Sequence, residues 1–342
     1  MERHIKDRTE LLWLSGLAQR WHRRRSFGEY DLPPAEELTA RKIASGERVS
    51  VVLPALNESG TVGAICDAIR DHLMGSTPLV DELLVVDCAS KDATRSIAEA
   101  SGARVYAVSE LGPDVPVQPG KGEALWRSLS AVTGEIVVWI DSDIRNFSPR
   151  FVTGLVAPLV NDPTISFVKG FYRRPILRGG ELVPDEGGRI TELLARPLLA
   201  ALYPELTAFE QPLAGEYAGR VDVLRRIPFF TGYSVEAGLL IDMLSLVGLD
   251  ALAQVDLGER VHRNRPLSEL SPIAYAIART ILMRAEESGR VRRSVEIAPA
   301  PLLRPTPDGL SAHDVHEIER PPIAELDRAD GEASPSAVNE SR

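Results

Sequence analysis

The chain has 342 residues, 44% of them apolar and 26% charged, which is enough for one large α/β domain or two smaller ones. A formal charge of −10 argues against a nucleic-acid-binding surface, because such a surface needs an excess of Lys and Arg to neutralise phosphates. The two cysteines, Cys66 and Cys88, give neither a disulfide framework nor metal-ligand spacing and fit a reducing, cytoplasmic setting. No apolar run approaches the roughly 20 residues needed to span a bilayer, so a membrane is not the expected partner.

Residues 1–25 carry charges throughout and no signal-peptide core. They hold an amphipathic pattern, Leu11, Leu12, Trp13, Leu14, Leu17 and Trp21, that runs into His22-Arg23-Arg24-Arg25. Such a helix either lies on a membrane surface or packs on the body or on a partner subunit. Packing is the preferred reading, since a basic helix end also complements the helix dipole. Residues 26–48 read as a polar connector around Pro33-Pro34, with the globular core starting at Val49.

From there apolar runs alternate with amphipathic ones. Strands are predicted at 49–54, 83–86, 103–106 and 135–140, with helices at 60–73, 91–101 and 121–132 between them. The strand runs are continuously apolar, as expected for strands buried on both faces. This order predicts an α/β fold with a Rossmann-like, mostly parallel sheet and helices on both faces. The second half is less regular: a strand at 167–172, a Gly- and acid-rich loop at 178–188, helices at 191–202 and 235–247, a strand at 252–255 and a helix at 272–287. The Pro- and acid-rich tail begins at about 298 and reads as disordered after Asp327. The chain therefore divides at the sequence level into 1–48, 49–145, 146–297 and 298–342.

In parallel sheets ligands bind beyond the carboxyl ends of the strands. The first strand ends in Pro54-Ala55-Leu56-Asn57-Glu58, the second in Asp87-Cys88-Ala89-Ser90-Lys91-Asp92 and the fourth in Asp141-Ser142-Asp143. An Asp-x-Asp directly after a buried strand brings two carboxylates to one rim, and hard cations such as Mg²⁺ or Mn²⁺ take one or two carboxylates plus substrate phosphates. Turn-forming Asp pairs are common, and the position after this βαβ series is what favours the metal reading.

Gly120-Lys121-Gly122 opens a helix, where glycines admit a phosphate and the ammonium and helix N-terminus favour anions. It lacks P-loop spacing and on its own reads as an ordinary loop with a solvated lysine. His262-Arg263-Asn264-Arg265 combines an imidazole, an amide and two guanidiniums, types that bind metal and phosphate, although a single His is commonly structural. Gly188-Arg189-Ile190-Thr191 suits a small phosphorylated anion at a helix start, or equally a capped turn. Glu236 offers a carboxylate near a sugar site, or a first-turn Glu that favours the helix dipole.

Taken together, Val52-Leu53-Pro54-Ala55-Leu56-Asn57-Glu58, Pro119-Gly120-Lys121-Gly122-Glu123-Ala124-Leu125-Trp126, Asp141-Ser142-Asp143, Phe171-Tyr172-Arg173-Arg174-Pro175, Gly188-Arg189-Ile190-Thr191-Glu192-Leu193 and His262-Arg263-Asn264-Arg265-Pro266-Leu267 resemble the glucosyl- and mannosyl-3-phosphoglycerate synthases of actinobacteria. The similarity spans roughly residues 49–290. It implies a GT-A fold, transfer of a hexose with retention from a UDP- or GDP-sugar to the C2 hydroxyl of 3-phosphoglycerate, a divalent cation and a homodimer. By matching position, Pro54, Ala55, Leu56, Glu58 and Cys88 would hold the nucleotide, Lys121 the diphosphate, and Asp141 with Ser142 the ribose side. Asp143 and His262 would ligate the metal. Gly188, Arg189, Ile190, Thr191 and Asn264 would bind the acceptor. Tyr233, Ser234, Val235 and Glu236 would face the donor sugar, with Arg260 and Arg265 flanking the metal.

Residues 49–145 would then be the nucleotide-sugar half and 146–297 the acceptor and metal half. Many glucosyl members read Asp-Ser-Gly-Ser-Thr-Asp where this chain has Asp87-Cys88-Ala89-Ser90-Lys91-Asp92, so the choice between uridine and guanosine does not carry over. The competing readings are a membrane-associated inverting transferase acting on a lipid-phosphate or polysaccharide, and a non-catalytic nucleotide-sugar-binding module. A dinucleotide oxidoreductase is disfavoured, because the first βα turn lacks Gly-x-Gly-x-x-Gly.

Overall fold

A computed structural model describes residues 8–76, 78–174, 176–178, 181–183, 187–261, 266–292, 302–306, 309–313, 315 and 317–332. Helix α1 (Arg8–Arg25) leads through β1 (Ser26–Phe27) and α2 (Ala35–Ser45) into an alternating series. That series runs β2 (Val49–Ala55), α3 (Val62–Ile69), β3 (Glu82–Asp87), α4 (Thr94–Ala100), β4 (Arg104–Ala107), α5 (Lys121–Ser128), β5 (Ile136–Trp139), α6 (Arg150–Asn161) and β6 (Phe167–Arg173). A hairpin follows, β7 (Ile176–Arg178) and β8 (Glu181–Val183), then α7 (Arg196–Leu202), β9 (Tyr217–Arg220), α8 (Val221–Leu224), β10 (Phe229–Phe230), α9 (Val235–Val247), β11 (Leu252–Glu259) and α10 (Leu267–Glu287). The C-terminal part adds β12 (Leu302–Thr306), β13 (Gly309–His313), β14 (Glu319–Arg320) and α11 (Ile323–Glu332).

The main sheet has eight strands in the order β1-β11-β6-β9-β5-β2-β3-β4, and β9 alone runs antiparallel to its neighbours. Alternate residues of one strand feed two different cores. In β5, Val137 and Trp139 face the α5, α7, α9 and α10 side, while Ile136 and Val138 face the α2, α3, α4 and α6 side. Burial on both faces explains why these strands read as unbroken apolar runs. The chain steps from β2 outward to β3 and β4, then returns to place β5 on the other side of β2. This reversal is the switch point at which doubly wound sheets open a crevice. The mixed, mostly parallel α/β architecture follows the expectation from the alternating pattern.

Four local expectations are corrected. Residues 26–48 are not a plain connector: α2 buries Leu38 completely, and β1 pairs with β11 at the sheet edge. Residues 178–188 are not simply a loop, since Arg178↔Glu181 closes the β7–β8 hairpin. The order in the tail does not stop at Asp327 either: β14 pairs with β10, and α11 continues past Asp327 to Glu332. At 26–48 and in the tail the local composition is polar, and a long-range partner supplies the missing backbone or apolar contacts; at 178–181 the pairing is local. Several helices are also shorter at one end than the periodicity suggests, as at α4 and α5, where turns take over.

Trp21 decides how α1 sits. It is 2% exposed, its indole N–H donates to Leu249 O at 2.9 Å and Leu252 O at 3.0 Å, and its ring lies 4.4 Å from that of Phe209. The helix is thus docked on the body. No helix among the described residues is long and apolar enough to cross a membrane.

Candidate active site

A cavity of about 630 Å³ opens at the carboxyl ends of β2, β3 and β5, where the strand order reverses. Two side chains tie its floor together. The Ser142 hydroxyl donates to Pro54 O at 2.7 Å, and the Thr61 hydroxyl donates to Ser142 O at 2.5 Å. These bonds hold the turn after β5 against the turn after β2. The loops after β2 and β3 interlock as well: Asn57 N–H donates to Ser90 Oγ, and Lys91 N–H donates to Asn57 Oδ1. Both loops use positive φ, 58° at Asn57 and 65° at Ala89. At Ala89 a Cβ sits in the left-handed region, at a cost of about 1–2 kcal/mol.

Lys121 begins α5 after Gly120, whose φ is 121°. A Cβ at Gly120 would overlap the Thr231 carbonyl and one at Gly122 the Phe230 carbonyl, so both glycines are needed for the close approach of α5 to the segment before α9. The Lys121 ammonium lies 2.5 Å from Asp141 Oδ1 and 2.9 Å from Glu236 Oε1, and donates to Gly215 O at 3.1 Å. Burial works against its charge, but Asp141 and then Glu236 outweigh that and hold its pKa well above the usual lysine range.

Arg260, at the end of β11, faces the same carboxylates from the other side. Its Nη2 donates to Asp141 Oδ2 at 2.9 Å and to Asp143 Oδ1 at 2.7 Å. Burial raises the cost of ionising Asp141, yet Lys121 and then Arg260 keep its pKa far below the ordinary value. Asp141 is therefore paired through both oxygens, and Asp143 is the more exposed carboxylate, 36% against 21%. Arg260 is itself backed by a buried network. Its Nη1 donates to Tyr172 Oη at 3.1 Å, Tyr172 donates to Glu216 Oε2 at 2.6 Å, and Arg260 Nε lies 3.4 Å from Glu216 Oε1.

The same cavity is also lined by Arg174, Gly187, Gly188, Arg189, Ile190 and Thr191. Arg174 stacks 4.9 Å from the Tyr172 ring and donates to its hydroxyl at 2.8 Å. Gly188 has φ 72°, which turns the chain from the hairpin into the helical segment before α7.

Of the residues singled out from the sequence, Pro54, Ala55, Leu56, Glu58, Cys88, Lys121, Asp141, Ser142, Asp143, Gly188, Arg189, Ile190, Thr191, Tyr233, Glu236 and Arg260 line this one cavity. Ser234 and Val235 stand behind its wall, both fully buried. His262, Asn264 and Arg265 fall outside the described residues. Burial pushes the Cys88 thiol up to about 12, so it meets a ligand as a neutral, weakly polar surface.

Sequence reading missed Arg174, Gly215 and Glu216. Arg174 stood within the quoted Phe171 to Pro175 string without a role. Glu216 had a detectable signal, an acid preceding the apolar β9 run.

Asp141 and Asp143 supply hard oxygen donors of the kind Mg²⁺ and Mn²⁺ take, at the rim of a cavity roomy enough for a phosphorylated ligand. Among the described residues no group of three His, Cys, Asp or Glu side chains converges as a metal site. Further ligands would have to come from a substrate or from outside those residues. One or two carboxylates completed by substrate phosphates is the usual Mg²⁺ pattern, so the residues fit such a cation, with Asp143 the more exposed donor.

Residues 50–181 match the model of glycosyl transferase family 2. The chain is 42% identical over 303 residues to a glucosyl-3-phosphoglycerate synthase of Petrotoga mobilis, covering 88% of this chain and 93% of that one. It is 53% identical over 252 residues to the enzyme of the same name from Mycobacterium tuberculosis, covering 72% and 76% of the two chains. Among solved structures, mannosyl-3-phosphoglycerate synthase from Rubrobacter xylanophilus superposes with a TM-score of 0.82 at 42% identity, covering 90% of this chain and 98% of that one. Glucosyl-3-phosphoglycerate synthase from Mycobacterium tuberculosis, in complex with Mn²⁺, UDP-glucose and phosphoglyceric acid, gives 0.76 at 45%, covering 88% and 98%. With this extent of similarity added to the Asp141–Asp143 strand end and its cavity, the chain belongs to the glucosyl- and mannosyl-3-phosphoglycerate synthase family of glycosyltransferases.

Proposed function

We propose that the protein transfers a hexose, with retention, from a UDP- or GDP-sugar to the C2 hydroxyl of 3-phosphoglycerate. The observation that carries this reading is that one cavity is lined both by the Lys121, Asp141, Asp143 and Arg260 charge cluster and by Arg174 with Gly188 to Thr191, with Arg174 and Arg260 meeting on the Tyr172 hydroxyl. The glucosyl-3-phosphoglycerate synthase from Mycobacterium tuberculosis holds Mn²⁺, UDP-glucose and phosphoglyceric acid together, which fits two subsites side by side.

In this reading Pro54, Ala55, Leu56, Glu58 and Cys88 seat the nucleotide, and residues 49–145 form the donor half. Asp143 with His262, the pair that the family resemblance implies, would hold a divalent cation, while Asp141 is paired through both oxygens with Lys121 and Arg260. Bound there, the cation offsets the negative charge that develops on the departing diphosphate. Lys121 holds its proton and meets the same charge as a fixed ammonium, needing no reorganisation during the reaction. Arg174, Arg189 and the start of the 191–195 helical turn hold the phosphate and carboxylate of the acceptor, placing its C2 hydroxyl beside the anomeric carbon. Glu236 is committed to Lys121 at 2.9 Å, which suits orientation of the sugar better than nucleophilic attack. Residues 146–297 thus form the acceptor half, and the protein works as a homodimer in the cytoplasm.

The alternative of a membrane-bound inverting transferase loses part of its support, since Trp21, one apolar side chain of the pattern it rests on, is buried against the body. The decisive experiment is a matrix of UDP-glucose, GDP-glucose and GDP-mannose against 3-phosphoglycerate with Mn²⁺ or Mg²⁺, reading glycosylated phosphoglycerate. We expect product with at least one donor; no product in any combination overturns the acceptor assignment.

A further inference from the structure

The C-terminal segment reaches the cavity wall from behind. Phe229↔Arg320 and Phe230↔Glu319 pair β10 with β14. Beyond this short ladder, Thr231 N–H donates to Ile318 O at 3.1 Å, and Ile318 N–H donates to Thr231 Oγ1 at 3.3 Å. Arg320 then grips the fully buried Glu123, two residues after Lys121, through both carboxylate oxygens at 2.8 and 2.9 Å. Thr231 O accepts the Glu123 N–H at 3.0 Å. The starts of α5 and α9 therefore meet at Thr231, and the tail is threaded along that meeting line.

Glu317 completes the junction. Its carboxylate accepts the Tyr233 N–H at 3.0 Å and the Ser234 hydroxyl, and it lies so close to Gly232 that a Cβ there would overlap it. Ser234 occupies the N-cap position of α9 but makes no side-chain capping bond to the helix. A Ser at that position ordinarily satisfies a first-turn N–H, worth about 1 kcal/mol. Here its hydroxyl donates to Glu317 instead. The arrangement gives up a local cap and places a second carboxylate near Glu236, and burial followed by these bonds shapes Glu317's ionisation. Helix stability alone does not call for this. What it achieves is a fixed Gly232-Tyr233-Ser234 turn, which orients Tyr233 on the cavity wall and starts the helix that presents Glu236 to Lys121.

We propose that Glu317 is a positioning residue for the donor-sugar end of the cavity, acting through Tyr233 and Glu236. The inference rests on the reading of the Lys121 end as the donor end. Its test uses the full chain with Mn²⁺ and compares wild type, Glu317→Ala and the isosteric Glu317→Gln by calorimetry. Each is titrated with UDP and UDP-glucose, and with GDP, GDP-glucose and GDP-mannose.

In Glu317→Ala the ratio of sugar-nucleotide to nucleotide affinity falls by about fivefold or more, the scale of one lost hydrogen bond, while the free nucleotide binds within about twofold of wild type. Glu317→Gln restores part of the ratio, because its amide oxygen still accepts the Tyr233 N–H. If the alanine variant does not fold, a smaller fall of the same sign in Glu317→Gln is the expected result. An unchanged ratio in the folded variants, or equal weakening of nucleotide and sugar nucleotide, overturns the proposal. A wild-type chain that binds none of these nucleotides overturns the donor reading beneath it.

Discussion

Gly215 offers a sharp test of the charge cluster, because the segment before β9 crosses directly over Asp141 and Lys121. A Cβ built at Gly215 would stand 2.8 Å from Lys121 Nζ and closer still to Asp141 Oδ2. Ordinary carbon contacts lie at about 3.5 Å, so Gly215→Ala forces Asp141, Lys121 or the strand to retreat by roughly 1 Å. That shift opens the 2.5 Å Lys121–Asp141 pair and the 2.9 Å Arg260–Asp141 bond, which together hold the rim in place. Misplacement on this scale costs about 10²-fold in turnover, near 2.7 kcal/mol in the barrier. Overpacking also destabilises the fold by about 1–3 kcal/mol, which a chain of this size tolerates. Initial rates at saturating donor and acceptor, with unfolding followed by circular dichroism, measure both effects. A Gly215→Ala enzyme that keeps most of its turnover and its unfolding midpoint would refute the reasoning.

Asp143→Ala should lower turnover by about 10²-fold or more through loss of cation-borne charge stabilisation, with no recovery across an Mn²⁺ titration of the initial rate; normal turnover counts against the metal assignment. Lys169 is buried beneath the site, where it donates to Ala214 O at 2.8 Å and stacks 4.5 Å from the Tyr217 ring, and burial lowers its pKa from 10.5 to about 7. Between those values the unfolded chain binds the proton that the folded chain has lost. Stability therefore rises with pH across this window, by up to about 1.4 kcal/mol per unit from this group, and the gain is lost again as pH falls towards 7. Urea midpoints between pH 7 and 9.5 should show that slope reduced in Lys169→Met, and an identical slope would exclude Lys169 as its source. Trp21→Ala should destabilise the fold by about 3–5 kcal/mol in urea unfolding without changing vesicle partition; loss of vesicle binding at unchanged stability would revive the membrane reading.

The alternation of apolar strand runs with amphipathic helices determined the parallel α/β sheet. It also located the turns at 54–58, 87–92 and 141–143 that contribute to the cavity wall, because strands buried on both faces leave so plain a pattern. The short strings around Lys121, Asp141 and Gly188 stood out as well, and all three line the cavity. What the sequence could not show was which polar residues become partners across distance. Glu216 reads as one acid before a strand, Arg174 as one of two adjacent arginines, and Glu317 as part of an acidic tail.

Only the return of β9 between β5 and β6 brings Gly215 over Asp141 and Glu216 behind Arg260. Only the β10–β14 ladder carries Glu317 to Tyr233. Residues 26–48 looked like a connector for the same reason: Leu38 is one apolar side chain until α2 packs against α6. Local propensity and periodicity are properties of neighbouring residues and can be read along the chain. Charge pairing, burial and close backbone approach arise between residues far apart along the chain, and only the packed fold sets those distances.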